Sequence, residues 1–169
     1  MPQIMDEIEA CVPALRRYAR ALTHDSDRAD DLVQDCLERA IRKRRLWRPT
    51  GSVRSWVFRI LVNVHRNDLR RLRRAPDPIS LEILPGSDPA GPDVQPDRLA
   101  LAETARAMQV LPAEQREVLL LVGVEEMSYA EAAAVLSIPV GTLMSRLARA
   151  RAALRSLTDT GVLKLRSVK

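Results

Sequence analysis

Between Val140 and Leu157 the chain carries two interleaved sets of side chains at helical spacing. Leu143, Leu147, Ala150 and Leu154 recur every three or four residues, and Thr142, Ser145, Arg146, Arg149 and Arg151 fall between them. The second set contains hydroxyl and guanidinium donors but no general base or activated nucleophile, so its chemistry is recognition of anions and base edges. Arginine can bridge the two acceptors of guanine in a major groove, and hydroxyls reach phosphates or base edges. A basic helix is by itself more often a solvated face. The residues before it change that reading.

Ser128-Tyr129-Ala130-Glu131 has the form of a capping box, in which the serine covers a free N–H and the glutamate reaches back. It predicts a short helix reaching Leu136. Ser137-Ile138-Pro139 then forms a connection that places Pro139 at or just before the first turn of the next helix. Two helices joined by so short a turn make a helix-turn-helix, with Thr142, Ser145, Arg146 and Arg149 near the start of its second helix.

A second nucleic-acid candidate lies nearer the N-terminus. Residues 42–74 hold twelve Arg or Lys against a single acid, Asp68, and nucleic acid is the natural counterpart of such a segment. Ser52 can cap a helix running to about Arg74, with Val53, Val57, Ile60, Leu61 and Val64 inward. Asn63, Arg66 and Arg70 are its candidate DNA contacts. Trp56 falls on the apolar stripe, which favours a core position, and the loop from Arg48 to Ser52 is a candidate receptor for an unstacked base. Upstream, the caps around His24–Asp27 predict a helix from near Ser26 to the Arg42–Arg45 run. On it Asp31, Gln34, Asp35 and Glu38 lie on or toward the exposed side, either as an ordinary wet face or as a protein-binding surface kept away from DNA.

The remaining segments supply the frame. Met5–Leu22 has one apolar stripe, and Pro13 predicts a kink or the start of a second helix. Ala75–Asp97 has six prolines, five acids and no basic residue, which reads as a linker. Helical patterning resumes at Arg98, breaks at Pro112, and returns over Ala113–Val124. With 46% hydrophobic but only 3% aromatic residues, the core must be aliphatic. The expected fold is all-α, with two small helical domains joined by a flexible Pro-rich linker.

The other observations exclude function classes. No Gly-rich phosphate loop, nucleophile elbow or metalloprotease helix occurs, so no enzyme is expected. His24, His65, Cys11 and Cys36 lack zinc-site spacing, which predicts no metal and no cofactor. The widely separated cysteines and an N-terminus bearing acids where a targeting peptide has bases predict free thiols and a cytoplasmic protein. No segment has the apolar length of a membrane span.

Asp30-Asp31-Leu32-Val33-Gln34-Asp35, then Ser55-Trp56-Val57-Phe58-Arg59-Ile60 and Asn63, resembles region two of the extracytoplasmic-function sigma factors. Leu111-Pro112-Ala113-Glu114-Gln115-Arg116-Glu117-Val118, Ser128-Tyr129-Ala130-Glu131 and Pro139-Val140-Gly141-Thr142-Leu143-Met144-Ser145-Arg146-Leu147 are similar to their region four. The resemblance implies region two over 1–74, a linker over 75–97, region four over 98–160 and a tail over 161–169. It implies that Asp31, Gln34, Asp35 and Glu38 dock the clamp helices of the RNA polymerase beta-prime subunit, and that region four meets the beta flap. Arg48, Ser52, Trp56, Asn63, Arg66 and Arg70 would then recognise and help open the −10 element. Thr142, Ser145, Arg146 and Arg149 would read the −35 element, with an anti-sigma factor as a further partner. Ser137 stands where these factors often have glycine, and region two has few aromatics to hold open strands, which implies strict dependence on promoter sequence. Two rival readings are a dimeric helix-turn-helix operator binder and an anti-anti-sigma mimic that titrates an inhibitor.

Overall fold

The computed structural model describes residues 2–48, 51–74 and 96–166, and every regular element among them is helical. An N-terminal bundle contains α1 (Pro2–Thr23), α2 (Ser26–Lys43) and α3 (Val53–Arg74), with a single 3-10 turn, Arg44–Leu46, after α2. A C-terminal bundle contains α4 (Pro96–Val110), α5 (Ala113–Leu119), α6 (Tyr129–Leu136) and α7 (Val140–Arg166). A wide π-turn, Leu120–Val124, continues α5.

Each bundle forms as its apolar stripes dictate. Leu15, Ala19 and Leu22 of α1 meet Leu32, Val33 and Cys36 of α2 and Val57, Phe58 and Leu61 of α3 in one core. Tyr18 and Phe58 pack edge to face, with ring centroids 5.4 Å apart, the arrangement favoured by the aromatic quadrupole. Asp25 Oδ1 accepts the N–H groups of Asp27 (2.9 Å) and Arg28 (3.0 Å) and so caps α2. Ser52 Oγ accepts Ser55 N–H at 3.1 Å and opens α3 as expected. Both cysteines are free and buried, and burial pushes the Cys36 thiol up to about 12.

Four local details differ from the sequence reading. Pro13 does not start a second helix, since α1 runs continuously through it, and its ring lies on the solvent side, where the carbonyl it leaves without a donor can be hydrated. Helix α4 begins at Pro96, two residues inside the expected linker, because proline's fixed φ suits a first helical turn. The helix over Ala113–Val124 widens at Leu120, and Glu125 N–H bonds Leu120 O at 2.9 Å. Helix α7 passes Leu157 and reaches Arg166, with Thr158 Oγ1 bonding back to Leu154 O at 3.0 Å and Arg155 O at 3.1 Å. Most of the expected linker, residues 75–95, lies outside the described residues.

The two bundles pack face to face. The buried cluster runs without interruption from Ile8 and Leu15 of α1, through α3, to Leu121, Leu136 and Leu143. Tyr18, fully buried between the bundles, donates its hydroxyl to Glu117 O at 3.4 Å.

Candidate polymerase and nucleic-acid interfaces

Helix α2 turns Ala29, Leu32, Val33, Cys36 and Ala40 inward, which leaves Asp31, Gln34, Asp35 and Glu38 exposed along one stripe. Gln34 Nε2 donates to Glu38 Oε1 at 3.2 Å, an i,i+4 pair on the helix surface. The stripe therefore offers three carboxylates and an amide with no partner from the rest of the fold among the described residues. Such a surface can accept hydrogen bonds from a basic helical protein and repels DNA phosphates.

Helix α3 divides its candidates. Asn63 and Arg70 are exposed, and Arg70 Nη1 donates to Asn67 Oδ1 at 3.4 Å on its own helix. Arg59, one turn before Asn63 and also exposed, extends this polar line; its four-residue spacing from Asn63 was the available sequence signal. Trp56 is half-buried and packs against the core, as its stripe position requires. Arg48 and Ser52 are exposed, whereas Pro49 and Thr50 of the same loop lie outside the described residues.

Arg66 turns away from solvent. Its guanidinium makes a two-pronged pair with the buried Glu117 of α5, Nε to Oε1 at 3.2 Å and Nη2 to Oε2 at 2.7 Å. Nη1 also donates to Leu136 O at 3.3 Å, at the end of α6. The carboxylate hydrogen bond raises the Arg66 pKa against the opposing effect of burial. One π-turn later, Glu125 has no solvent exposure of its side chain and receives Arg17 (Nε–Oε1 2.9 Å, Nη2–Oε2 2.8 Å) and Arg54 (Nη2–Oε2 3.0 Å). Arg54 also donates to Glu125 O at 2.8 Å and lies 5.5 Å from the centre of the Phe58 ring. Three arginines of the N-terminal bundle thus neutralise two buried carboxylates of the C-terminal one.

In the helix-turn-helix, Ser128 and Glu131 form the capping box on both sides, with Glu131 N–H to Ser128 Oγ at 3.2 Å and Ser128 N–H to Glu131 Oε2 at 3.0 Å. The bonds from Ser128 lower the Glu131 pKa. Ser137 ends α6 at φ 55°, ψ 45°, a left-handed conformation that glycine adopts without its Cβ penalty. Leu143, Leu147 and Ala150 bury the inner face of α7, which leaves Ser145 and Arg149 pointing outward. Ser145 Oγ donates to Thr142 O at 3.0 Å. Thr142 is half-buried, and Arg146 leans to the flank, where Nη2 meets Glu114 Oε2 at 3.1 Å.

The expected faces are therefore separate surfaces joined by one core, and the described residues hold no cluster of three or more potential metal ligands. Nor is any helix among them long and apolar enough to cross a membrane.

This arrangement has counterparts among known proteins. Residues 8–62 match the family described as the Sigma2 domain of PhyR, and residues 101–154 match Sigma-70, region 4. The chain is 40% identical over 157 residues to the ECF RNA polymerase sigma factor EcfG of Rhodopseudomonas palustris, covering 91% of this chain and 84% of that one. It superposes on the sigma factor RpoE of Bartonella quintana, solved with the anti-sigma factor NepR, with a TM-score of 0.76 and 31% identity over 94% of this chain and 98% of that chain. The anti-anti-sigma factor PhyR of the same organism, solved with NepR, shares the fold alone, at 16% identity, a TM-score of 0.61 and coverage of 90% of this chain and 49% of that one. With both halves matched in order and one relative aligned along nearly its whole length, the chain belongs to the extracytoplasmic-function RNA polymerase sigma factors.

Proposed function

We propose that this sigma factor divides promoter recognition between its two bundles, with residues 1–74 as region two, 75–97 as linker, 98–160 as region four and 161–169 as a tail. Asp31, Gln34, Asp35 and Glu38 dock the clamp helices of the beta-prime subunit, and region four meets the beta flap. Asn63, Arg70 and Trp56, with Arg48, Ser52 and a released Arg66, engage the −10 element. Thr142, Ser145, Arg146 and Arg149 engage the −35 element. The factor acts in the cytoplasm by recruitment, without a bond-making step. Joining two weak contacts in one chain raises the effective concentration of the second and makes element spacing part of the specificity.

The observation that carries this reading is the outward face of α7, where Ser145 and Arg149 are exposed and meet no other element among the described residues while the opposite face is buried. An anti-sigma factor that holds the bundles together is the expected inhibitor, as NepR is the anti-sigma partner in the related RpoE complex.

The anti-anti-sigma mimic is the second reading, because the N-terminal match is to a PhyR domain. It predicts inhibitor binding without promoter-directed transcription. Run-off transcription with purified core polymerase on a promoter-fragment library separates the two. Protein-dependent start sites that weaken with Asp35→Ala and change preference with Arg149→Ala support the proposal. Absence of both stimulation and core binding would overturn it.

A further inference from the structure

The outward side of α7 is not uniformly polar. Met144 is 51% exposed and Val140, one turn earlier, 42% exposed. Neither belongs to the buried core, although Leu143 and Leu147 of the same helix do. Beside them the exposed positions are small: Gly141, where an added Cβ would meet no atom within 4 Å, and Ala148. The polar groups on this side are Ser145 and Arg149, and Arg151 and Arg155 are exposed farther along. Arg146 lies on the opposite flank, paired with Glu114 at 3.1 Å.

Charge complementarity limits what can cover this face. Its arginines suit a polyanion, and its small residues let the helix axis approach closely. The apolar edge then needs an apolar feature within a polyanionic groove. In duplex DNA the major groove offers one, the C5 methyl of thymine, which apolar side chains contact and which cytosine lacks.

We infer that Met144, supported by Val140, is a specificity-determining residue that reads thymine methyl groups in the −35 element. This inference rests on the promoter-reading role proposed above. Unbranched and flexible, methionine can follow a methyl in either strand of an A·T pair. Arg149 and Ser145 supply the hydrogen bonds to neighbouring pairs, so the helix reads one part of the element by donors and another by a hydrocarbon surface.

The test uses the holoenzyme and the −35 duplex selected from the promoter library, with each thymine replaced in turn by deoxyuridine, which removes only the methyl. Affinity is read by fluorescence anisotropy, and a scrambled −35 duplex serves as control. One or two replacements should weaken binding about fourfold, the value of one buried methyl group. Met144→Ala should lose that sensitivity while remaining folded, Met144→Leu should retain it, and responses at other thymines should not change.

Wild-type protein that discriminates the scrambled duplex but ignores every methyl would overturn the inference and leave the function intact. Full methyl sensitivity in Met144→Ala would also overturn it and assign the apolar edge to a protein partner. Failure to discriminate the scrambled duplex would overturn the inference together with the promoter-reading role.

Discussion

The two bundles use the same side chain in opposite ways. Arg17, Arg54 and Arg66 of the N-terminal bundle turn toward the seam, whereas Arg149 of the C-terminal bundle faces solvent. Local sequence does not explain the difference, since α1, α3 and α7 are all rich in arginine. Its cause is Glu117 and Glu125, the two buried carboxylates among the described residues, both in the C-terminal bundle. A buried carboxylate requires a cation, and here the facing bundle supplies it. Basic side chains suited to DNA are equally suited to an internal acid. While Arg66 is held by Glu117 it is withdrawn from the surface, but Ser145 and Arg149 of α7 remain exposed. On the proposed assignment, this closed arrangement leaves the −35 face ready and the −10 face incomplete.

The sharpest way to break this asymmetry is Glu125→Gln. The amide keeps the shape but removes the charge, so Arg17 and Arg54 lose their shared partner. Breaking a fully buried pair costs several kcal/mol, but both arginines are substantially exposed and rehydrate, with side-chain exposures of 54% and 40%. A loss of about 2 kcal/mol in urea unfolding is expected, with a larger radius of gyration in small-angle scattering. Unchanged unfolding and scattering would show that apolar packing alone closes the seam.

Glu117→Gln tests the other half of the comparison with a smaller effect. The substitution frees one arginine and keeps the apolar contacts, so the expected loss is about 1 kcal/mol. Affinity for a single-stranded −10 fragment should rise, because Arg66 becomes available, and affinity for a −35 duplex should not change. Equal changes on both fragments would contradict the division of labour between the bundles.

What the sequence disclosed and what it withheld follow from the same physics. The alternation of Leu143, Leu147 and Ala150 with polar residues, the Ser128–Glu131 box and the Ser52 cap are local patterns, and the structure repeats them. The exposed placement of Ser145 and Arg149 on α7 was legible in the same way, whereas the pairing of Arg146, grouped with them as a donor, with Glu114 was not. The seam was not legible. Glu117 looks like an ordinary polar helix position until Arg66, 51 residues earlier in the chain, is brought against it. The π-turn that carries Glu125 inward inserts one residue into a helical repeat, and a 3.6-residue period does not register such an insertion.

Ser137 sharpens the comparison from the side of the C-terminal bundle alone. Its left-handed φ of 55° costs a residue with a Cβ about 1–2 kcal/mol, and glycine gives back part of that through its more mobile unfolded chain. Ser137→Gly should therefore stabilise the protein by about 0.5–1 kcal/mol in thermal unfolding. The seam and the −10 fragment should not respond. A destabilised variant would mean that the serine contributes more to the turn than its backbone costs.

The smallest effect is acid sensitivity, and it reports on the seam from the N-terminal side. Burial lowers the His65 pKa from 6.5, Glu117 and Asp68 raise it, and Arg28 and Arg116 lower it. Burial, then Arg116, also lowers His24. Both histidines are therefore neutral in the folded protein at a pH where the unfolded chain already takes up protons. Well above pH 6.5 this costs nothing; as pH falls through 6.5 toward the lowered folded values, stability declines, and below them it levels off. At pH 6.5 each histidine can account for at most about 0.4 kcal/mol. His65→Gln should flatten part of the decline measured by denaturant titration between pH 7.5 and 5.5. Glu117→Gln should steepen it, because the carboxylate that opposes the fall in the His65 pKa is gone. An identical pH profile in the wild type and Glu117→Gln would show that Glu117 is committed wholly to Arg66 and exerts no field on its other neighbour.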